Sequence, residues 1–131
     1  MIKLRIKTNS RVEMQDVTGE VRKAVSELKI NEGICVVYSP HTTAGVIVNE
    51  HADPDVAEDI ISALVEQYPH HHNWQHSEGN ADAHIKTAVV GNSATVPVTG
   101  GSLALGTWQG IFFCEFDGLR NRELFVQVVG S

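Results

Sequence analysis

The chain has 131 residues, of which 42% are hydrophobic and 20% charged, and its formal net charge at pH 7 is -6. This length predicts one globular domain over residues 1–131, and no apolar run reaches the roughly 18 residues of a transmembrane helix, so we expect a cytoplasmic protein without a membrane partner. The acidic balance argues against a nucleic-acid partner but leaves a phosphorylated small molecule as a candidate ligand, because a local pocket can be basic or metal-bridged.

The first third of the chain predicts strands around one helix. Residues 2 to 8 alternate apolar and basic side chains, which is typical of a half-buried antiparallel strand. From Asp16 the apolar residues recur every three to four positions, which predicts a helix of about four turns. The apolar runs 34–38 and 44–50 predict two neighbouring strands, and His41 would lie where the first of them ends.

A second helix is predicted to begin at Asp53-Pro54. Asp53 suits the N-cap, and Pro54 suits the first turn, where its missing N–H is not needed. Pro69 ends this helix. The three histidines His70 to His72 follow as a loop, because consecutive side chains cannot all point into one site.

The second half of the chain predicts mainly strands. The segment from His84 to Val90 is predicted as a strand, on which His84 and Lys86 would share a face. Further strands are predicted over 94–98, 111–116 and 123–129, with hairpins at Gly100-Gly101 and Asp117-Gly118. The resulting fold class is α+β, a single domain with mostly antiparallel β-sheet.

Residues 74 to 86 concentrate polar side chains without an amphipathic period. Histidines can ligate a metal or move protons, carboxylates can bind a cation or act as bases, and a lysine can hold an anion. The side chains concerned are His76, Glu78, Asp82, His84 and Lys86. This density predicts a functional site.

The histidines His41, His76 and His84 raise the question of zinc, which commonly takes three protein nitrogens and leaves a fourth position open. The spacing alone equally fits acid–base histidines or ordinary surface histidines. Four carboxylates favour a cation, because something must offset their mutual repulsion if they share a pocket. They are Glu50, Glu78, Asp82 and Glu115.

Two further observations concern the strands. Gln109, Glu115 and Asp117 share a parity with large apolar residues, which predicts the wall of a pocket. Cys35 and Cys114 lie in apolar runs far apart in sequence and are predicted to be buried thiols. No P-loop, dinucleotide fingerprint or nucleophile elbow is present.

Five motifs together resemble a known family. They are His41-Thr42-Thr43-Ala44, Asn49-Glu50-x-x-Asp53-Pro54-x-Val56-x-x-Asp59, His76-x-Glu78-Gly79-Asn80-x-Asp82-x-His84-Ile85-Lys86, Gly106-Thr107-Trp108-Gln109-Gly110-Ile111 and Glu115-Phe116-Asp117-Gly118-x-Arg120. In this order they resemble the secondary thiamine-phosphate synthase family, the YjbQ-like proteins, and they span essentially the whole chain. The resemblance leads us to expect asparagine at position 51, where this chain has His51.

The resemblance implies a sandwich-like α+β subunit with two main helices, assembled as a homotrimer. It also implies an activity that joins hydroxymethylpyrimidine diphosphate to thiazole phosphate and releases pyrophosphate. The candidate catalytic residues are His41, Glu50, Glu78, Asp82 and His84. The candidate substrate-binding residues are Asn49, Lys86, Trp108, Gln109, Glu115 and Arg120. The candidate metal ligands are His41, His76 and His84.

Three functions are therefore open. The first is the synthase, with a divalent cation that is zinc if histidines bind it or magnesium if pyrophosphate does. The second is a metal- or metabolite-binding homotrimer. The third is a zinc-dependent hydrolase with Glu78 or Asp82 as base.

Overall fold

Eight strands form two antiparallel sheets in the computed structural model, which describes all 131 residues. A five-stranded sheet has the order β1-β8-β3-β5-β6, and a three-stranded sheet has the order β2-β7-β4. The elements are β1 (Ile2–Lys7), β2 (Glu13–Asp16), α1 (Thr18–Leu28), β3 (Gly33–Tyr38), β4 (Ala44–Glu50), α2 (Pro54–Gln67), α3 (Ala81–Val90), β5 (Ser93–Thr99), β6 (Ser102–Leu103), β7 (Gln109–Glu115) and β8 (Asn121–Gly130). The expected α+β domain with antiparallel sheets is confirmed, with three helices where two main ones were expected.

The main core lies between the two sheets and α1. In β8 the even-numbered residues Leu124, Val126 and Val128 are buried, as the period of two requires when one face of a strand is covered. They pack in one apolar cluster with Val21 and Val25 of α1. The helix is shorter than expected, because Asp16 accepts a hydrogen bond from the Thr18 N–H at 3.0 Å just before the first turn.

The three-stranded sheet is covered on both faces, so nearly every residue of its central strand β7 is buried. Ile111 and Phe113 face the main core. Phe112 and Cys114 face a second apolar cluster, to which α3 contributes Ala83 and α2 contributes the half-buried Ala57 and Leu64. Both cysteines are free and buried, as predicted.

The predicted strand over 84–90 is wrong, because these residues form α3. Alternating small and apolar residues fit either period over so short a segment. The helix places Asp82 and Lys86 four residues apart, where they form an ion pair, and it buries both side chains. His84 and Lys86 do not share a face, because two residues turn a helix through about 200°.

The connections between strands also differ from the prediction. The Asp117-Gly118 hairpin is wrong, because residues 116–120 cross from β7 in one sheet to β8 in the other. β3 and β4 are not paired neighbours, since β4 pairs with β7 and β3 with β5 and β8. β2 is an element that the sequence did not predict.

Other local predictions are confirmed. Asp53 caps α2, its Oδ1 accepting a hydrogen bond from the Asp55 N–H at 2.9 Å, and Pro54 is the first helical residue. Gly100 and Gly101, both with positive φ, connect β5 to β6. No helix is long and apolar enough to cross a membrane.

Candidate functional site

A fully buried carboxylate at the end of β7 anchors the polar interior. Glu115 accepts hydrogen bonds from Nε of Arg122 at 2.8 Å and, through its second oxygen, from Nη2 of the same guanidinium. The Thr8 hydroxyl and the Asp117 N–H donate to the same carboxylate at 2.8 and 3.0 Å. Arg122 also donates to the Thr43 hydroxyl at 2.9 Å. Four donors fix the carboxylate, and it fixes the guanidinium in turn.

A second buried carboxylate lies at the start of α3. Asp82 accepts two hydrogen bonds from Arg11, at 3.1 and 3.2 Å, and one from the Lys86 ammonium at 2.6 Å. Asp82 and Lys86 are almost fully buried, whereas the side chain of Arg11 is 31% exposed. Lys86 is therefore occupied with Asp82, and Arg11 is the cation of this group that reaches solvent.

Asp117 joins the two carboxylates into one network. It accepts hydrogen bonds from Asn80 at 2.9 Å and from Arg120 at 3.0 Å, and it lies 4.0 Å from Arg11. The Oδ1 atom of Asn80 is buried without a partner. We call the following residues the polar network: Thr8, Arg11, Asn80, Asp82, Lys86, Glu115, Asp117, Arg120 and Arg122. Its four cations exceed its three carboxylates by one charge.

The pKa values of the two buried carboxyls are set by this network. Burial by itself raises the pKa of Asp82, but the hydrogen bonds and charges of Arg11 and Lys86 outweigh burial and lower it overall. For Glu115 burial is likewise the largest single effect, and the hydrogen bonds from Arg122, Asp117 and Thr8 bring the pKa below its usual range. Both groups are charged at neutral pH.

A cavity of about 450 Å³ opens beside the Arg122 end of the network. It is lined by Arg5, Ile6, Lys7, Asn121, Arg122 and Glu123, and we call it the basic cavity. Arg5 and Lys7 face it because they lie on the solvent side of β1, opposite the buried Ile6. The guanidinium of Arg122 points inward and is neutralised by Glu115, so Arg5 and Lys7 against Glu123 leave this surface with one excess positive charge in a chain whose net charge is -6.

His41 lies next to the basic cavity. Its Nε2 accepts a hydrogen bond from the Glu123 N–H at 2.9 Å, which requires the neutral ring with its proton on Nδ1. Burial and then the charge of Arg122 lower the pKa of His41, which favours the same neutral form. The ring meets Phe113 edge-on, with centroids 6.4 Å apart.

The other two candidate zinc ligands lie together. The rings of His76 and His84 have centroids 5.3 Å apart, and His76 Nε2 lies 3.6 Å from the Glu78 carboxylate. His41 makes its hydrogen bond elsewhere, and no three histidine, cysteine or acidic side chains form a preassembled metal site. Imidazole and carboxylate are donors that zinc accepts, so His76, Glu78 and His84 fit a divalent cation better than the three-histidine set. Metal binding stays a prediction.

The remaining candidates lie at the end of β4 and the start of β7, and of these only Glu50 lines a cavity. Glu50 lines an opening of about 440 Å³ between α2 and the three-stranded sheet. Asn49 accepts a hydrogen bond from the Glu50 N–H, and Gln109 is paired with Glu50 across β4 and β7. Gln109 Oε1 closes its own turn by accepting from the Gly106 N–H at 2.9 Å, and Trp108 is 63% exposed. These residues form a group separate from the polar network.

The structure thus brings together Asp82, Lys86, Glu115 and Arg120, with His41 nearby. Sequence reasoning missed Arg11 and Arg122. Arg122 carried a usable indication, because it has the same parity as Leu124 and Val126 and therefore points inward from β8. An inward arginine requires an acidic partner, and Glu115 had the matching inward parity in β7. Nothing in the sequence marks Arg11.

Comparison with known proteins identifies the family. The family model described as UPF0047 protein YjbQ-like matches residues 2–131. The chain belongs to the YjbQ-like family. The resemblance seen in the five motifs is confirmed at this level, and the synthase activity stays a prediction.

Relatives cover the YjbQ-like chain from end to end. A UPF0047 protein of Methanocaldococcus jannaschii is 52% identical over 131 residues, covering 100% of this chain and 95% of that protein. YugU of Bacillus subtilis is 49% identical over 128 residues, covering 97% of each. A crystal structure of a family member from Clostridium acetobutylicum matches with a TM-score of 0.96 at 45% identity, over 98% of this chain and 100% of the other. The similarity therefore includes the whole domain.

Proposed function

We propose that this protein is a transferase of the secondary thiamine-phosphate synthase type, which joins hydroxymethylpyrimidine diphosphate to thiazole phosphate and releases pyrophosphate. The observation that carries the proposal is the positive charge of the basic cavity, which Arg5 and Lys7 face from the exposed side of β1. A diphosphate needs such clustered cations, because its negative charge increases on the leaving group as the bond to carbon breaks.

Arg5 and Lys7 are the residues available for this task. The Nε and Nη2 atoms of Arg122 are held inward by Glu115 and Thr43, so this guanidinium positions β8 beside the cavity and is not itself a phosphate ligand in the proposal. Arg5 and Lys7 lie on an exposed strand face and add charge at the entrance. Arg120, which donates to Asp117, lines a smaller neighbouring cavity with Lys7.

The buried groups of the polar network act as positioning residues in this proposal. Lys86 holds Asp82, and Asp82 holds Arg11 through two hydrogen bonds. Neutral His41 offers an Nδ1–H donor beside the cavity, since its Nε2 is already occupied. The substrate roles of Asn49, Trp108 and Gln109 remain predictions from the resemblance.

A divalent cation, zinc or magnesium, is part of the proposal. His76, Glu78 and His84 would hold it, because His76 lies close to both others, with its ring centroid 5.3 Å from that of His84 and its Nε2 3.6 Å from the Glu78 carboxylate. The chemistry that such an ion supplies is neutralisation of charge on the departing pyrophosphate. A His84→Ala variant should then bind less metal in elemental analysis than the unchanged chain.

Assembly as a homotrimer is also proposed. The outer face of the five-stranded sheet exposes Ile34, Tyr38 and Val129, of which Ile34 and Val129 are paired across β3 and β8. An exposed apolar patch of this kind is typical of an interface. Light scattering after size exclusion measures the assembly directly, and a monomer mass would contradict this part.

The decisive experiment mixes both precursors with purified protein and Mg²⁺ and measures thiamine phosphate. An Arg5→Gln/Lys7→Gln variant should lose most of the activity. Lys3→Gln/Lys23→Gln is the matched control, because it removes the same charge without touching the basic cavity and Lys3 lies on the same face of β1. The proposal would be contradicted if the unchanged chain made no more thiamine phosphate than His84→Ala. It would also be contradicted if both double variants lost the same share of activity.

A second candidate is a metal-dependent protein of another kind, either a metal- or metabolite-binding homotrimer or a zinc-dependent hydrolase. It is favoured by the adjacent rings of His76 and His84. His76 lies in the loop before α3, and His84 lies on the first turn of that helix. Thermal-shift measurements with Zn²⁺, Mg²⁺ and the two precursors separate the candidates. Stabilisation by Zn²⁺ alone would favour this second function, and stabilisation by the precursors would favour the first.

A further inference from the structure

The cavity at Glu50 differs in chemistry from the basic cavity. It has a volume of about 440 Å³ and lies between the first turns of α2 and the sheet residues of β2, β4 and β7. We call it the acidic cavity, and its acidic lining residues are Glu13, Asp16, Glu50, Asp53 and Glu58. Volumes of this size are typical of small-molecule sites.

Glu50 is the one half-buried carboxylate of this cavity that has no hydrogen-bond or ion-pair partner within the chain. Glu13 accepts from the Asn9 N–H, Asp53 caps α2, and Asp16 is bonded to Thr18. Glu58 is exposed on α2, whereas Glu50 is half-buried and its carboxylate makes no hydrogen bond or ion pair. Five carboxylates and no lysine or arginine line the cavity, so its lining carries an excess of negative charge.

His51 supplies an oriented acceptor beside Glu50. Its Nδ1 lies 2.8 Å from Asp16 Oδ2, and the other oxygen of Asp16 accepts from the Thr18 N–H at 3.0 Å. The ring lies against Gly110, where an added Cβ would come within 2.4 Å of it. With Nδ1–H donated to Asp16, Nε2 is left as an acceptor for a ligand N–H.

The arrangement favours an organic cation over a metal ion. The floor is apolar, with Met14, Ile61 and Phe112 among its residues. A negative rim over an apolar floor complements a molecule that has a charged end and an apolar body.

We propose that the acidic cavity binds a small organic amine in its ammonium form. The ammonium pairs with Glu50 and donates an N–H to His51 Nε2, and the apolar body packs on Phe112 and Met14. This proposal stands independently of the synthase function, because the residues that carry it line no part of the basic cavity.

The test uses 2-phenylethylamine as the probe, with 2-phenylethanol and phenylacetate as its neutral and anionic counterparts. We expect saturable binding of the amine by calorimetry, and movement of the Met14 methyl and Phe112 ring resonances in the unchanged protein. The alcohol should bind at least about tenfold more weakly, and phenylacetate not detectably.

Variants assign the contacts. Glu50→Gln should weaken amine binding by about tenfold or more, and His51→Asn by several-fold. Glu66→Gln is the matched control, because it removes one charge from the exposed surface of α2 away from the cavity. Arg5→Gln/Lys7→Gln should bind the amine normally even if it abolishes synthesis, which separates the two proposals.

Several results would overturn the inference. They are no saturable binding, equal affinity for phenylacetate, resonance changes that omit Met14 and Phe112, or loss of affinity that is the same in Glu50→Gln and Glu66→Gln. Amine affinity that rises on dilution of the protein would mean that a second copy of the chain covers the cavity. This result would also contradict a small-molecule site.

Discussion

The basic cavity and the acidic cavity have similar volumes, about 450 and 440 Å³, but opposite charge. Each cavity has a lining residue that is held by a partner of opposite charge character: Glu115 holds Arg122, and Asp16 holds His51. The difference lies in depth. Glu115 is fully buried, whereas the side chain of Asp16 is 44% exposed. The basic cavity is therefore tied to the stability of the fold, and the acidic cavity much less so.

The largest expected effect comes from breaking the buried pair of the basic cavity. Arg122→Met leaves the Glu115 carboxylate without its cation, and we expect a loss of about 3–5 kcal/mol in the free energy of unfolding. Urea denaturation measures it. Arg5→Met removes a cation from the same cavity without orphaning a carboxylate and should cost less than about 0.5 kcal/mol.

A double variant sharpens the result. Arg122→Met/Glu115→Met replaces the whole pair by apolar side chains and should recover most of the lost stability. A double variant as unstable as Arg122→Met would show that packing, and not the unpaired charge, causes the loss.

The next largest effect is expected from acid, which should lower the free energy of unfolding when Glu115 takes up a proton. Because the pKa of Glu115 is lower in the folded chain than in the unfolded chain, the unfolded state takes up the proton first. Its contribution to stability is present above about pH 4.3, the unfolded value, and is lost as the pH falls through the folded value. Denaturation midpoints between pH 6 and 3 should fall less steeply in Glu115→Gln than in Glu66→Gln. Parallel slopes would contradict this assignment.

Lys86→Met should have an intermediate effect of about 1–3 kcal/mol. The loss is smaller than at Arg122 because Asp82 keeps two hydrogen bonds from Arg11. Lys23→Met, on the exposed face of α1, is the control. If both variants unfold at the same urea concentration, the buried ammonium contributes nothing net.

The substitution Gly110→Ala tests the position of the His51 ring in the acidic cavity. The added methyl group displaces the His51 ring from Asp16, so we expect about 1–2 kcal/mol of destabilisation and weaker amine binding. Gly19→Ala, which meets no atom within 4 Å, should leave both unchanged or raise stability slightly. Unaltered amine affinity in Gly110→Ala would show that the position of the His51 ring does not matter for ligand binding.

The smallest expected effect on the fold is that of His51→Asn. The ring is on the surface, and an ion pair there contributes at most about 1 kcal/mol. Nearly unchanged urea denaturation together with weaker amine binding would confirm the contrast between the cavities. A loss of unfolding free energy comparable to that of Arg122→Met would contradict this contrast.

The sequence by itself determined the local features of this protein. Alternation in β1, the apolar runs of β3 and β4 and the Asp53-Pro54 cap are set by short-range geometry, and each was predicted correctly. The ordered motifs also sufficed for the YjbQ-like family. These features depend on neighbours along the chain, so no fold is needed to find them.

Only the tertiary structure decided the rest. Residues 84–90 are helical because Lys86 can reach Asp82 one turn away while Ala83 packs on β7, a preference that composition does not reveal. Glu115 joins Arg122 because residues 116–120 cross between sheets, where the dipeptide Asp117-Gly118 predicted a hairpin. Pairing across sheets depends on which faces are buried together, and burial is a property of the whole fold.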